Sequence, residues 1–137
     1  MLQIIVATHG LMSQEVVNSS YMIFGQQEDV HAVTFVPGQG PADLLARYKE
    51  ILAERAPGNE TLILVDLFGG SPYNAATQLA VEDETVGLVA GVNLGMLIEL
   101  YGMRNNSLEA VTTQVVEAGK YGIVAFELQE EEDDDLL

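Results

Sequence analysis

The sequence predicts an α/β domain: a doubly wound, mostly parallel sheet covered by helices on both faces, with an antiparallel edge strand. Three observations carry this. Apolar runs suited to strands alternate with segments whose apolar residues recur at helical spacing. The first three runs are nearly continuous rather than alternating, as strands buried on both faces require. A chain of 137 residues, 48% of them hydrophobic, suits one compact core.

The elements follow in chain order. Residues 2–7 form an apolar run with no basic flank, far shorter than the roughly 20 apolar residues that span a bilayer, and residues 2–8 read as a buried strand. Val17, Tyr21 and Phe24 then lie on one helical stripe, which Gly25 ends in the C′ position. Residues 30–36 make the second strand. Pro41 opens the next helix at its first turn, and Leu44, Tyr48, Ile51 and Leu52 recur at i, i+4, i+7 and i+8. Residues 61–66 are the third strand, followed by Ser71-Pro72, an N-cap with proline at the first helical position. Residues 86–92 are the fourth strand, and Leu108, Val111, Val115 and Ala118 stripe the last helix. The order implies right-handed crossovers.

Residues 123–128 are expected to form a fifth strand. The connection Lys120-Tyr121-Gly122 is too short for another crossover, so an antiparallel or edge position is predicted. The domain is placed at residues 1–128, and residues 129–137 are read as an acidic tail. Six of the 21 acidic residues fall in 130–135, a run that repels itself and suits solvent.

Charge and composition narrow the chemistry. The formal net charge is −16, and five Lys and Arg residues form no local cluster, which argues against nucleic acid or an anionic membrane surface as partner. With no Cys, covalent chemistry must use another side chain. Two His residues with 21 residues between them make a closed zinc site improbable, and Gly38-Gln39-Gly40 lacks the spacing of a nucleotide loop, so neither metal nor cofactor is expected. A cytoplasmic protein is expected.

In an open parallel sheet, ligands bind beyond the carboxyl ends of the strands. The first strand ends in Ala7-Thr8-His9-Gly10, the third runs into Asp66-Leu67-Phe68-Gly69-Gly70-Ser71-Pro72, and the fourth ends in Gly91-Val92-Asn93. If the first and third strands are neighbours, His9 and Asp66 converge. A carboxylate on ring Nδ1 would fix the tautomer and leave Nε2 facing solvent as a nucleophile. Gly69, Gly70 and Ser71 open a helix, where unpaired N–H groups and a hydroxyl can receive phosphoryl oxygens. Plainer roles stand beside these: Asp66 as a helix-entry residue, the glycines as a tight turn, Ser71 as a cap. His31 has no matching acid in the pattern and is assigned to structure or solvent.

The segments Ile4-Ile5-Val6-Ala7-Thr8-His9-Gly10, Phe35-Val36-Pro37-Gly38, the run from Val65 through Asp66 and Gly69-Gly70-Ser71-Pro72 to Ala76, and Ala90-Gly91-Val92-Asn93-Leu94-Gly95-Met96-Leu97 together resemble the enzyme IIA component of the mannose family of bacterial sugar phosphotransferase systems. The resemblance spans residues 1–128. It implies that HPr phosphorylates His9, and that His9 passes the group to a His of the IIB component, which serves the membrane IIC and IID components. It also implies that Asp66 pairs with His9, that Ser71 contacts the phosphate, and that homodimers form by edge-strand exchange. Leu67 stands where related proteins often carry a hydroxyl residue, leaving Ser71 and backbone amides as phosphate donors. Three alternatives remain: a phosphoryl donor to a dihydroxyacetone kinase, a receiver-like signalling module phosphorylated on Asp66, and a flavodoxin-like binder. The receiver reading lacks an acidic pair after the first strand, and the flavodoxin-like reading lacks hydroxyl donors there.

Overall fold

The computed structural model describes residues 1–128; the acidic run expected at 130–135 lies outside them. The elements are β1 (Gln3–His9), α1 (Met12–Phe24), β2 (Val30–Phe35), α2 (Pro41–Ala53), β3 (Thr61–Val65), α3 (Ser71–Ala80), β4 (Val86–Ala90), α4 (Leu94–Tyr101) and α5 (Leu108–Tyr121). The four strands form one parallel sheet in the order β2-β1-β3-β4.

Side chains alternate across a strand, and the two central strands are covered on both faces, which is why residues 4–7 of β1 and 62–65 of β3 are apolar without interruption, while the outer strands β2 and β4 are mostly half-buried. Ile4 and Val6 of β1 and Leu62 and Leu64 of β3 point into one core layer, with Val17 of α1, Leu97 and Leu100 of α4, and Val111 and Val115 of α5. Ile5, Ala7, Ile63 and Val65 point the other way, onto Leu44, Tyr48 and Ile51 of α2 and Ala75 and Ala76 of α3. The doubly wound architecture is the one the sequence predicts.

Four details differ. The fifth strand is absent from the chain's own sheet: residues 123–128 lack secondary structure and are exposed, with Phe126 at 90%. A strand exists only through pairing, and within the single chain this segment meets no sheet edge, so no antiparallel strand is present among the described residues. The helix expected to be capped by Ser71 begins one residue sooner, with Gly70 in the extended cap conformation and Ser71 already helical. α4 is an additional helix, capped by the Asn93 side chain, which accepts from the Met96 N–H at 2.9 Å. β4 ends at Ala90, two residues short of the expected run, because the Gly91 and Val92 N–H groups both turn back to the Val65 carbonyl.

The sheet order matters for function. From β1 the chain crosses to β2 on one side, while β3 lies on the other, so the connections after β1 and β3 depart in opposite directions. The crevice between those strand ends is the switch point where open α/β sheets place their chemistry.

Candidate functional site

His9 is the last residue of β1, and its backbone is tied on both sides. Buried Thr8 accepts a 2.7 Å hydrogen bond from the Ser13 N–H through Oγ1 and donates to the His9 carbonyl at 3.1 Å. Gly10 turns the chain away with φ +61°, a left-handed conformation that suits glycine, and its N–H donates to the Phe35 carbonyl at 2.8 Å. The strand therefore delivers a fixed imidazole to an open surface.

Asp66 follows β3 directly. Its Oδ2 accepts from the His9 backbone N–H at 3.0 Å and from the His9 ring Nδ1 at 2.8 Å, while Oδ1 accepts from the Leu67 N–H at 3.0 Å. A carboxylate offers only lone pairs, so Nδ1 is the ring nitrogen that donates, and in the neutral ring the free lone pair is then on Nε2. The His9 side chain is 46% exposed and that of Asp66 only 12%. Burial alone would push the Asp66 carboxyl up. The hydrogen bonds from the His9 ring and backbone, together with the His9 charge, outweigh burial and hold the carboxyl below its ordinary value of 3.8.

The loop between Asp66 and α3 closes over the ring. A Cβ built on Gly70 would lie 2.9 Å from His9 Cε1 and 3.6 Å from Nε2, so Gly70 presents its bare Cα to the imidazole. Phe35, the partner of His9 in the β1–β2 register, meets the ring edge-on, with centroids 5.8 Å apart at 84°. Asn74 pins the loop: its Nδ2 donates to the Gly69 carbonyl at 3.0 Å and its N–H to the Gly70 carbonyl at 2.8 Å. Gly69 takes φ +81°, which makes the tight turn. Ser71 then opens α3.

His9 thus meets both Asp66 and Gly70, and Gly69 and Ser71 flank Gly70 in the chain. Leu67 exposes its side chain beside them. The expectation that His31 lacks an acid partner is corrected: its Nε2 lies 2.8 Å from Asp29 Oδ1. Asp29, two positions before His31, is also a non-glycine residue that takes a positive φ, +55°. That pair sits at the opposite end of the sheet from His9. Phe35, Asn74 and Tyr48, whose hydroxyl reaches the first turn of α3, escaped the sequence reading because their roles depend on strand register and helix docking.

A groove of about 440 Å³ between β2 and α2, lined by Thr34, Gln39, Asp43, Arg47 and Glu50 among others, includes neither His9 nor Asp66. The His9 centre is instead an open surface, to which another protein's reactive group has access. No helix among the described residues is long and apolar enough to cross a membrane.

Residues 3–116 match the profile of the family described as PTS system fructose IIA component, EIIA-man. The chain is 36% identical over 124 residues to the PTS system mannose-specific EIIAB component of Escherichia coli K12, a match covering 89% of this chain and 38% of that protein. It therefore spans about two fifths of the length of that relative. It is 37% identical over 122 residues to the PTS system fructose-specific EIIA component of Bacillus subtilis, covering 83% of this chain and 84% of the relative. Among solved structures, the mannose/sorbose specific IIA subunit of the phosphotransferase system from Enterococcus faecalis superposes with a TM-score of 0.86 at 30% identity, covering 93% of this chain and 96% of that one. The phosphotransferase system component EIIA from Streptococcus agalactiae gives 0.82 at 29% identity, covering 91% and 97%.

Proposed function

The chain belongs to the EIIA-man family of phosphotransferase-system components, and from that premise we propose that it is a phosphohistidine relay whose carrier residue is His9. The observation that carries this reading is the 2.8 Å contact between Asp66 and His9 Nδ1 on a half-exposed ring, which assigns the free lone pair to Nε2.

In the forward step, the Nε2 lone pair attacks the phosphorus of phospho-HPr. The new P–N bond forms as the donor's P–N bond breaks, and that electron pair returns to the donor imidazole. The Nδ1 proton stays in place, so positive charge passes from the donor ring to His9, where the Asp66 carboxylate stabilises it. The N–H groups around Gly69 and Gly70, with the Ser71 hydroxyl, receive the phosphoryl oxygens at the positive end of α3. Reversal of the same geometry hands the group to a His of the IIB component, which serves IIC and IID in the membrane. The relay works in the cytoplasm, carries no metal or cofactor, and has no nucleic-acid partner.

The assembly is a homodimer. Support comes from residues 123–128, which are all exposed and place the large apolar Val124, Phe126 and Leu128 at every second position, and from β4, which among the described residues pairs with β3 alone and leaves its other edge open. Exchange of the segment onto a second subunit would cover both within a closed, symmetric assembly.

The function is tested by incubation with phosphoenolpyruvate, enzyme I and HPr, followed by mapping of the modified residue.

A further inference from the structure

Tyr48 lies in the middle of α2 at 0% exposure, in the core layer that holds Ile5, Ala7 and Val65 beneath the strand ends bearing His9 and Asp66. A phenylalanine would fill this space without a polar atom to satisfy. The hydroxyl is present, and it donates to the Pro72 carbonyl at 3.0 Å. Pro72 is the second residue of α3. A carbonyl in a first helical turn already serves the amide four residues on, so the hydroxyl takes its second lone pair. What this bond adds is position: it ties the amino end of α3 to α2.

We propose that Tyr48 is a positioning residue for phosphoryl transfer, its hydroxyl holding the amino end of α3 at the distance from His9 that the transferring group requires. The linkage is short and continuous. Tyr48 holds Pro72, the turn containing Pro72 begins at Gly70, and Gly70 lies against the His9 ring. Asn74 stiffens the same turn from the other side. Burial, and after it the Asp66 carboxylate, push the phenol well above its ordinary value, so it stays a protonated donor throughout the working pH range. Tyr48 is buried and cannot touch a docking protein, so its influence falls on the transfer step and not on partner binding.

This inference rests on the reading of His9 as the carrier, and its test separates the two. Tyr48→Phe keeps the ring and removes one oxygen. In the full chain with phospho-HPr as donor, the single-turnover rate at saturation should fall about tenfold while the apparent KM for phospho-HPr is unchanged, the pattern expected when a positioning contact is lost away from the reacting atoms. A second readout needs no donor. In the unphosphorylated proteins, the amide resonances of Gly69, Gly70, Ser71 and Tyr73 and the ring nitrogens of His9 should shift between wild type and variant. A folded variant that transfers at the wild-type rate, or shifts confined to α2, would overturn the role of Tyr48. A wild-type chain that accepts no phosphoryl group would overturn the His9 reading itself.

Discussion

One oxygen of Asp66, Oδ2, accepts two hydrogen bonds from a single residue, His9: one from the backbone N–H at 3.0 Å and one from ring Nδ1 at 2.8 Å. The carboxylate therefore fixes where the residue sits and how its ring is protonated at once. Asp66→Asn removes the charge and weakens both acceptor bonds without adding bulk. Orienting carboxylates elsewhere are worth several powers of ten, but His9 Nε2 is a competent nucleophile unaided, so transfer should slow by roughly ten- to a thousandfold in a folded protein. Rapid-quench measurement of phosphoryl transfer reads this directly; a wild-type rate in the folded variant would deny Asp66 its role.

The same pair makes stability depend on pH in a defined direction. The Asp66 carboxyl is held below 3.8 in the folded chain, so the unfolded chain takes up its proton first as acid is added. The contribution is fully present above that ordinary value and is lost as pH falls through the lowered folded one. Urea midpoints should accordingly separate wild type from Asp66→Asn at neutral pH, and the gap should close below about pH 4. A gap that widened in acid would contradict the sign.

Gly69 and Gly70 are adjacent, yet substitution should act differently at each. Gly70 has φ −77° and ψ 173°, which alanine adopts freely, but its Cβ would lie 2.9 Å from the His9 ring. Gly70→Ala should leave the melting temperature nearly unchanged and cut transfer by roughly ten- to a hundredfold through displacement of the imidazole. Gly69 has open space around its missing Cβ but φ +81°, so Gly69→Ala should cost about 1–2 kcal/mol of stability from backbone strain. Thermal melts beside transfer rates test both; equal transfer losses at the two sites would remove the steric argument.

Much of this was legible in the sequence, for identifiable reasons. The central strands announced themselves because strands covered on both faces need apolar residues at successive positions, as Ile4, Ile5, Val6 and Ala7 supply, and the outer two showed as shorter apolar runs between helical patterns. His9 and Asp66 were found because strand ends at a switch point are where side chains converge. α4 was not, because Leu94–Tyr101 is apolar nearly all round and so shows no period; its signal was Asn93, a capping residue before the run. The ring clamp by Phe35 depends on the parallel register that sets it opposite His9, the Asp29–His31 pair involves a left-handed residue, and neither can be read from spacing. Residues 123–128 have strand composition, but pairing needs a partner that a single chain does not supply.

That segment gives a prediction about assembly. Static light scattering on the full chain should report a dimer at micromolar concentration, and ending the chain after Gly122 should remove it. The truncated protein would keep an open β4 edge without its cover and should aggregate or lose stability. A well-folded monomer of the full chain would defeat the exchange while leaving the relay chemistry intact.

The central claim is that His9 carries the group, and residue-resolved phosphorylation tests it most directly. With phosphoenolpyruvate, enzyme I and HPr, the wild-type chain should gain one phosphoryl group that is labile in acid, as a phosphoramidate is. His9→Ala should gain none, and His31→Ala, altered at the far end of the sheet, should label like wild type. Acid-labile label retained in His9→Ala, or a hydroxylamine-sensitive acyl phosphate on Asp66 in its place, would contradict the account.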